Sequence, residues 1–212
     1  MFRKKFRYIA PRFGRFRYYN RIRIFGFDRE RRIRRTFGEK ANIILNSDSR
    51  IVLPFTDIDI TTFCNLRCRR CAKCIPYFRQ RRHFTAEEIR ENLEALTTYI
   101  DRIYVANIIG GEPFLNPELK EIVRICAENP KIETLELTTN ATIVPDDEVI
   151  RAIKDSGVTV HISNYPNLDQ RYMENKRRLI EKLKEYGVPY ESHFHEICLD
   201  FGETEKHNYS PK

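Results

Sequence analysis

The sequence predicts an α/β protein built on parallel strands, and three observations carry that expectation. Short β-branched runs alternate with longer segments whose apolar residues recur at helical spacing, an order that implies parallel pairing through right-handed crossovers. Several of the longer segments carry recognisable helix start or stop signals. The polar and glycine-rich clusters each follow directly on a strand-like run, and parallel α/β folds build their sites at the carboxyl ends of strands. The pattern leaves two layouts open: helices on one face of a curved sheet, or on both faces of an open one.

Residues 51–61 (IVLPFTDIDIT) are β-branched and partly alternating, so they predict the first strand. Thr85-Ala-Glu-Glu88 is a capping box that opens a helix, and Ile89, Leu93, Leu96 and Ile100 give that helix one apolar stripe. Residues 102–109 (RIYVANII) predict the second strand, which runs into Gly110-Gly111-Glu112-Pro113. Asn116-Pro117 then starts a helix, with Asn as cap and Pro where a missing N–H costs nothing. Its buried face is Leu119, Ile122, Val123 and Cys126. Residues 132–138 (IETLELT) alternate as a third strand and end at Thr139-Asn140. A helix from Asp146 to Ser156 stops at Gly157. Residues 158–163 (VTVHIS) form the fourth strand, ending in Ser163-Asn164-Tyr165. A charged helix over 168–186 stops at Gly187, and a fifth strand follows over 188–195. Tyr209-Ser210-Pro211-Lys212 reads as the start of a further helix.

Composition bounds the function. The chain has 212 residues, 41% of them hydrophobic, enough for one core. Its net charge of +8 is uneven: residues 1–50 carry 16 Lys and Arg against four acids, a net of +12, so the other 162 residues sum to −4. The basic balance belongs to a basic, aromatic N-terminal extension (1–50), distinct from a core over 51–212. That extension suits contact with nucleic acid or an anionic membrane surface. The plainer expectation is a solvated or core-packed extension, because charge runs are usually solvated faces. The N-terminus has positive charge but no apolar run of the kind a secretory signal needs, and no stretch is long and apolar enough to span a membrane. A cytoplasmic setting is expected, where clustered thiols suggest metal rather than disulfides.

Four of the six cysteines, Cys64, Cys68, Cys71 and Cys74, fall within eleven residues. The first three, on a loop leaving a strand, suit three corners of a cubane cluster with one iron left open. Thiolates also suit zinc, so iron–sulfur and zinc both stand at this point. Arg67, Arg69 and Arg70 offer positive charge beside such a cluster, or are simply surface arginines. Cys74 reads as a spare or loop-packing thiol, since four ligands inside eleven residues would strain the loop. Cys126 reads as core, and Cys198 carries no signal.

Cys64-Asn-Leu-Arg-Cys68-Arg-Arg-Cys71 after the first strand resembles the signature of the radical S-adenosylmethionine superfamily. Gly110-Gly111-Glu112-Pro113 after the second strand looks like its methionine-binding motif. Thr139-Asn140 after the third is similar to its Thr-Asn segment, with Ala141 where Gly is common, and Ser163 after the fourth matches its ribose-contacting position. The likeness covers residues 55–195. It implies a partial (β/α)6-type barrel of about five βα units. It also implies a [4Fe–4S] cluster on Cys64, Cys68 and Cys71, with S-adenosylmethionine held by Gly110, Gly111, Glu112, Pro113, Asn140 and Ser163. The implied reaction is reductive cleavage of S-adenosylmethionine to a 5′-deoxyadenosyl radical that takes hydrogen from a small molecule, sugar or peptide. Reduced flavodoxin or ferredoxin would supply the electron. Glu112 would accept from the ammonium of the cofactor or brace the turn.

The sequence departs from the family at Arg70, where an aromatic residue often meets the adenine. Cys71-Ala-Lys-Cys-Ile-Pro-Tyr-Phe78 is similar to a loop of relatives that continue into a cysteine-containing C-terminal segment, absent here; a short form or a fragment is expected. Two rival readings follow: a zinc-binding nucleic-acid module, and a truncated family member that holds a cluster without turnover. His161, His193 and His195 lie along strands and read more readily as core histidines than as catalysts, as do Tyr165 and Tyr190. No substrate-side catalyst is assigned.

Overall fold

The computed structural model describes residues 52–68, 71–165 and 170–194, with the side chains of His193 and Phe194 left aside. The N-terminal extension 1–50, Ile51, Arg69, Arg70, the start of the 168–186 helix, His195, Cys198 and the Tyr209–Lys212 segment lie outside the described residues.

Six strands form one parallel sheet: β1 (Val52–Leu53), β2 (Thr56–Asp59), β3 (Arg102–Ile109), β4 (Ile132–Thr139), β5 (Thr159–Asn164) and β6 (Tyr190–Phe194). Helices α1 (Ala86–Tyr99), α2 (Leu119–Glu128), α3 (Asp147–Asp155) and α4 (Gln170–Tyr186) connect them. β1 and β2 are one predicted strand broken at Pro54. Val52 pairs with Arg102 and Thr56 with Ala106, so the register is continuous across the break. Proline has no N–H for the ladder, and this strand tolerates it because it lies at the sheet's edge.

Strand order follows chain order from β1 and β2 through β3, β4 and β5 to β6. Each right-handed crossover therefore advances in the same direction and places its helix on the same face. This selects the singly wound, barrel-type layout over the open sheet covered on both faces. Among the described residues four strand–helix units are complete, and β6 begins a fifth, giving a partial (β/α) barrel.

The two faces of the sheet differ in chemistry because strand side chains alternate. Ala106, Ile108, Leu135, Leu137, Val160 and Ile162 are buried, in one core with Ile122, Ile150, Ile153, Leu179 and Leu183 of the helices. The alternate positions are Asp57 and Asp59 on β2, Asn107 on β3, Glu136 and Thr138 on β4, and His161 and Ser163 on β5. One face thus packs on the helices; the other carries the buried Ile103 and Val105 at the start of β3 and is polar toward the carboxyl ends of the strands.

The helix boundaries follow their local signals with two differences. The capping box of α1 forms in full: Glu88 N–H donates to Thr85 Oγ1 at 3.1 Å and Thr85 N–H to Glu88 Oε2 at 2.9 Å. Thr85→Ala removes the first of these bonds and is expected to lower stability by about 1 kcal/mol, measured by urea unfolding. The predicted stripe of α1 is wrong at Leu96, which is 38% exposed; Thr97 is buried instead. The second difference is at Asn116. Regular helix α2 starts only at Leu119, and Asn116 caps a preceding turn, its Oδ1 accepting from Glu118 N–H at 2.8 Å. The Asn116 amide is also spent on Ile60 O at 2.7 Å and Phe84 O at 3.0 Å, tying the turn to β2. Gly157 and Gly187 close α3 and α4 at φ +65° and +66°, as their stop signals predict.

Candidate metal and cofactor site

The cysteine loop leaves β2 held on both sides by backbone. On one side Ile60 N–H donates to Ile109 O (2.9 Å), Gly111 N–H to Thr61 O (2.8 Å) and Glu112 N–H to Phe63 O (2.8 Å). On the other, Thr62 N–H donates to Arg82 O (2.9 Å) and Phe84 N–H to Ile60 O (3.0 Å). His83 adds side-chain support: its Nδ1 lies 2.9 Å from Thr61 Oγ1 and its ring stacks on Phe63 at 4.5 Å. Cys64 therefore emerges from a segment locked between two neighbours.

This pairing explains the two glycines. A Cβ on Gly111 would lie 2.0 Å from Phe63 O, and one on Gly110 would lie 2.4 Å from Thr61 O. Gly110 also has φ +152°, which a side chain disfavours. The close approach that requires glycine here is to the cysteine loop's own backbone.

Glu112 is fully buried and joins two strand ends. Its Oε1 accepts from Thr139 Oγ1 at 2.7 Å and from Phe114 N–H at 3.2 Å, and its Oε2 accepts from Asn140 N–H at 2.8 Å. Of the two roles open to it in the sequence, bracing is the one these contacts support. Burial raises its pKa from 4.5 to about 7, against the lowering effect of those three donors. The folded chain therefore holds this proton through a pH range where the unfolded chain has lost it. Its stabilising contribution is full below about pH 4.5 and is lost as pH rises to about 7. The metal-free protein is expected to lose about 3 kcal/mol of stability across that window, and Glu112→Gln should flatten the slope. Urea unfolding at a series of pH values measures it.

Asn140 lies next to the first cysteine. Its amide Nδ2 donates to Asn65 Oδ1 at 3.0 Å and reaches Cys64 Sγ at 3.8 Å, and its Oδ1 accepts from Thr142 N–H at 2.9 Å and Thr142 Oγ1 at 2.6 Å. Asn65 in turn donates to Thr142 Oγ1 at 2.6 Å. The end of β4 and the cysteine loop thus form one network. Asn65, Thr142 and His83 carry no sequence signal of their own: Asn65 is a spacer position between two cysteines, His83 and Thr142 lie outside the motifs, and only the fold brings all three to the rim. Ala141 has φ +58°, the conformation that favours the glycine common there.

Cys64, Cys68 and Cys71 are partly exposed and form no disulfide; Cys74 is exposed in a left-handed turn, and Cys126 is buried in the core. Burial pushes the Cys64 thiol up to about 11 and the Cys126 thiol up to about 12. A metal bound by Cys64 must therefore displace its proton. Among the described residues no three His, Cys, Asp or Glu side chains converge as ligands of a single ion. A cubane takes each thiolate on a different iron, so the three-cysteine donor set fits a cluster without such a point. Lys73, between Cys71 and Cys74, pairs with Asp57 and Asp59; burial disfavours its charge, but the two carboxylates outweigh that and hold its pKa above the ordinary lysine value.

Ser163 is buried at the end of β5, on the polar face. With Asn107, Glu136, Thr138 and His161 it lines a cavity of about 120 Å³. His161 sits between Glu136 (3.4 Å) and Glu191 (3.8 Å). A larger cleft of about 630 Å³, within the usual range for small-molecule sites, adjoins the cysteine loop at Asn65 and the segment after β4 at Thr142, and is bordered by Arg171, Asn175 and Arg178. Among the described residues no helix is long and apolar enough to cross a membrane.

The protein is thus of the barrel-type α/β class, a parallel, singly wound sheet with a three-cysteine loop after one strand and a glycine pair and an Asn after the next two. The chain belongs to the radical SAM superfamily, whose family model matches residues 58–208. The family's cofactors are a [4Fe–4S] cluster and S-adenosylmethionine. The GTP 3′,8-cyclase of Listeria monocytogenes is 34% identical over 109 residues, which is 50% of this chain and 32% of that protein. The GTP 3′,8-cyclase of Aquifex aeolicus is 30% identical over 133 residues, 58% of this chain and 40% of that protein. The chain therefore spans well under half the length of these curated relatives. Among solved structures, anSMEcpe with bound AdoMet superposes with a TM-score of 0.50 at 19% identity, over 66% of this chain and 43% of that one. HydG, a maturase of the [FeFe]-hydrogenase, gives 0.50 at 18% identity, over 71% of this chain and 37% of that one. These two likenesses are of fold.

Proposed function

We propose that Cys64, Cys68 and Cys71 hold a [4Fe–4S] cluster, and that the rim formed by Gly110–Pro113, Asn140 and Ser163 holds S-adenosylmethionine beside it. The observation that carries this reading is the Cys64–Asn140 contact at 3.8 Å, which brings the cysteine loop and the end of β4 to one place. When bound, the pair of cofactors supplies reductive cleavage of a sulfonium and abstraction of hydrogen from a substrate.

The chain's own residues do the positioning. Backbone pairing of 109–112 with 60–63 sets the height of Cys64 above the sheet. Glu112 braces the ends of β3 and β4 from below, so its role toward the cofactor is indirect. Asn140 keeps an amide at the Cys64 sulfur, where it donates to a thiolate. Ser163 offers a hydroxyl at the end of β5 for a ribose or carboxylate oxygen. The substrate is a small molecule, sugar or peptide. The match to GTP 3′,8-cyclases covers 32% to 40% of their length and supports shared cofactor chemistry rather than a shared substrate. The electron comes from an external one-electron donor such as reduced flavodoxin or ferredoxin.

The test is a cleavage assay. Anaerobically reconstituted protein, given S-adenosylmethionine and a chemical reductant, should form methionine and 5′-deoxyadenosine. A bound cluster with neither product would indicate a chain that holds the cluster without turnover, and would overturn the enzymatic reading.

A further inference from the structure

A continuous run of hydrogen bonds crosses the polar face of the sheet and ends on the cysteine loop. Thr138 Oγ1 donates to Asn107 Oδ1 at 2.8 Å, and Asn107 Nδ2 donates to Asp57 Oδ1 at 2.9 Å. Asp57 Oδ2 and Asp59 Oδ2 each lie 2.9 Å from Lys73 Nζ. Asp57 and Asp59 are two residues apart on β2, so both point to the same face and one ammonium meets both. Three strands and the loop are thereby joined: β4 through Thr138, β3 through Asn107, β2 through the two carboxylates, and the loop through Lys73.

Lys73 stands two residues after Cys71. The turn beside it carries backbone bonds of its own: Cys71 N–H donates to Cys68 O at 3.3 Å, and Cys74 N–H to Cys71 O at 2.9 Å. They close the turn on itself. The Lys73 side chain fixes that turn to the sheet.

We propose that Lys73 is a positioning residue: gripped by Asp57 and Asp59, it docks the cysteine loop on the polar face of the sheet and sets Cys71 relative to Cys64. The inference rests on the cluster site proposed above. An isolated surface ion pair would carry little. This one differs in three ways. The ammonium has two carboxylate partners, its side chain is only 25% exposed, and one of those carboxylates is itself oriented by Asn107. Without the lysine, two like charges face each other with no cation between them, and the Cys71–Cys74 turn loses this link to β2. Partners bonded directly to metal ligands change affinity about 10- to 100-fold when removed; Lys73 acts through the loop, so the lower end of that range is expected.

The experiment compares the wild-type chain with Lys73→Met, Lys73→Arg and the Asp57→Asn/Asp59→Asn double variant. Two rates are read. In the reduced, metal-free protein, the rate at which N-ethylmaleimide labels Cys71 is followed by peptide mass spectrometry, with buried Cys126 as the internal reference. In the reconstituted protein, the rate at which EDTA bleaches the cluster's visible absorbance is followed. The clamp predicts several-fold faster labelling of Cys71 and about 10-fold faster bleaching in Lys73→Met and in the double variant. Labelling of Cys126 should not change, and Lys73→Arg should recover most of the loss. Wild-type rates in Lys73→Met overturn the proposal, as does faster labelling of Cys71 and Cys126 together, which reports general unfolding. If the wild-type chain takes up no cluster, the cluster reading fails, and the labelling comparison alone decides the clamp.

Discussion

Cys64→Ala is expected to abolish the cluster, taking the iron content of the anaerobically reconstituted protein from about four per chain to background. Two features make this change damaging. The position of Cys64 is set by paired backbone on both sides, through residues 60–63. Its sulfur also meets a donor from another strand end, Asn140 Nδ2 at 3.8 Å. Two thiolates on a loop cannot hold a cubane against chelators when the Cys64 ligand is gone. The fold should survive, because Cys64 is only partly buried and the core lies on the other face of the sheet. Iron and sulfide analysis, with a far-UV circular dichroism spectrum as the folding control, checks both halves. A variant that retains wild-type iron would contradict the ligand assignment.

The second large effect is at Gly111. Alanine there would place its Cβ 2.0 Å from Phe63 O and 2.5 Å from Phe63 C. Backbone atoms cannot rotate away as a flexible side chain would, so the two segments must separate. That breaks the Glu112 N–H to Phe63 O bond at 2.8 Å and the Gly111 N–H to Thr61 O bond at 2.8 Å. Overpacking costs typically 1–3 kcal/mol in a core that can adjust; here about 3 kcal/mol or more is expected, together with loss of cluster binding because Cys64 moves. Urea unfolding and iron content measure the two effects. By contrast, Gly157 has nothing within 4 Å of an added Cβ. Gly157→Ala should cost only the strain of its φ of +65°, about 1 kcal/mol, and leave iron binding intact.

The fold was largely legible because its signals are local. The capping box at Thr85 and the glycine stops at Gly157 and Gly187 all form where the sequence places them, and α3 starts within one residue of the expected Asp146. What failed locally was overridden by tertiary contact. Asn116 is drawn off to Ile60 O and Phe84 O, and Leu96 sits just outside the buried arc that Thr97 enters. The choice between one covered face and two could not be read from periodicity, since both layouts use the same alternation; strand order decided it.

The site was legible as a list of motifs and not as a geometry. Cysteine spacing and the Gly-Gly-Glu-Pro and Thr-Asn segments marked the rim. The role of Glu112 stood undecided until its three donors were seen. Asn65, His83, Thr142 and the Asp57–Lys73–Asp59 group give no readable sign of their roles, because each acts through a partner that is distant in sequence. A residue whose role is to hold another residue shows itself only once the two are side by side.

The central claim is that the three thiolates hold an iron–sulfur cluster with one iron open to S-adenosylmethionine. Electron paramagnetic resonance of the reduced, reconstituted protein, recorded with and without S-adenosylmethionine and alongside iron, sulfide and zinc analysis, tests it most directly. About four irons and four sulfides per chain are expected, with a signal that shifts when S-adenosylmethionine is added. One zinc per chain with no sulfide, or a cluster signal indifferent to S-adenosylmethionine, would contradict it.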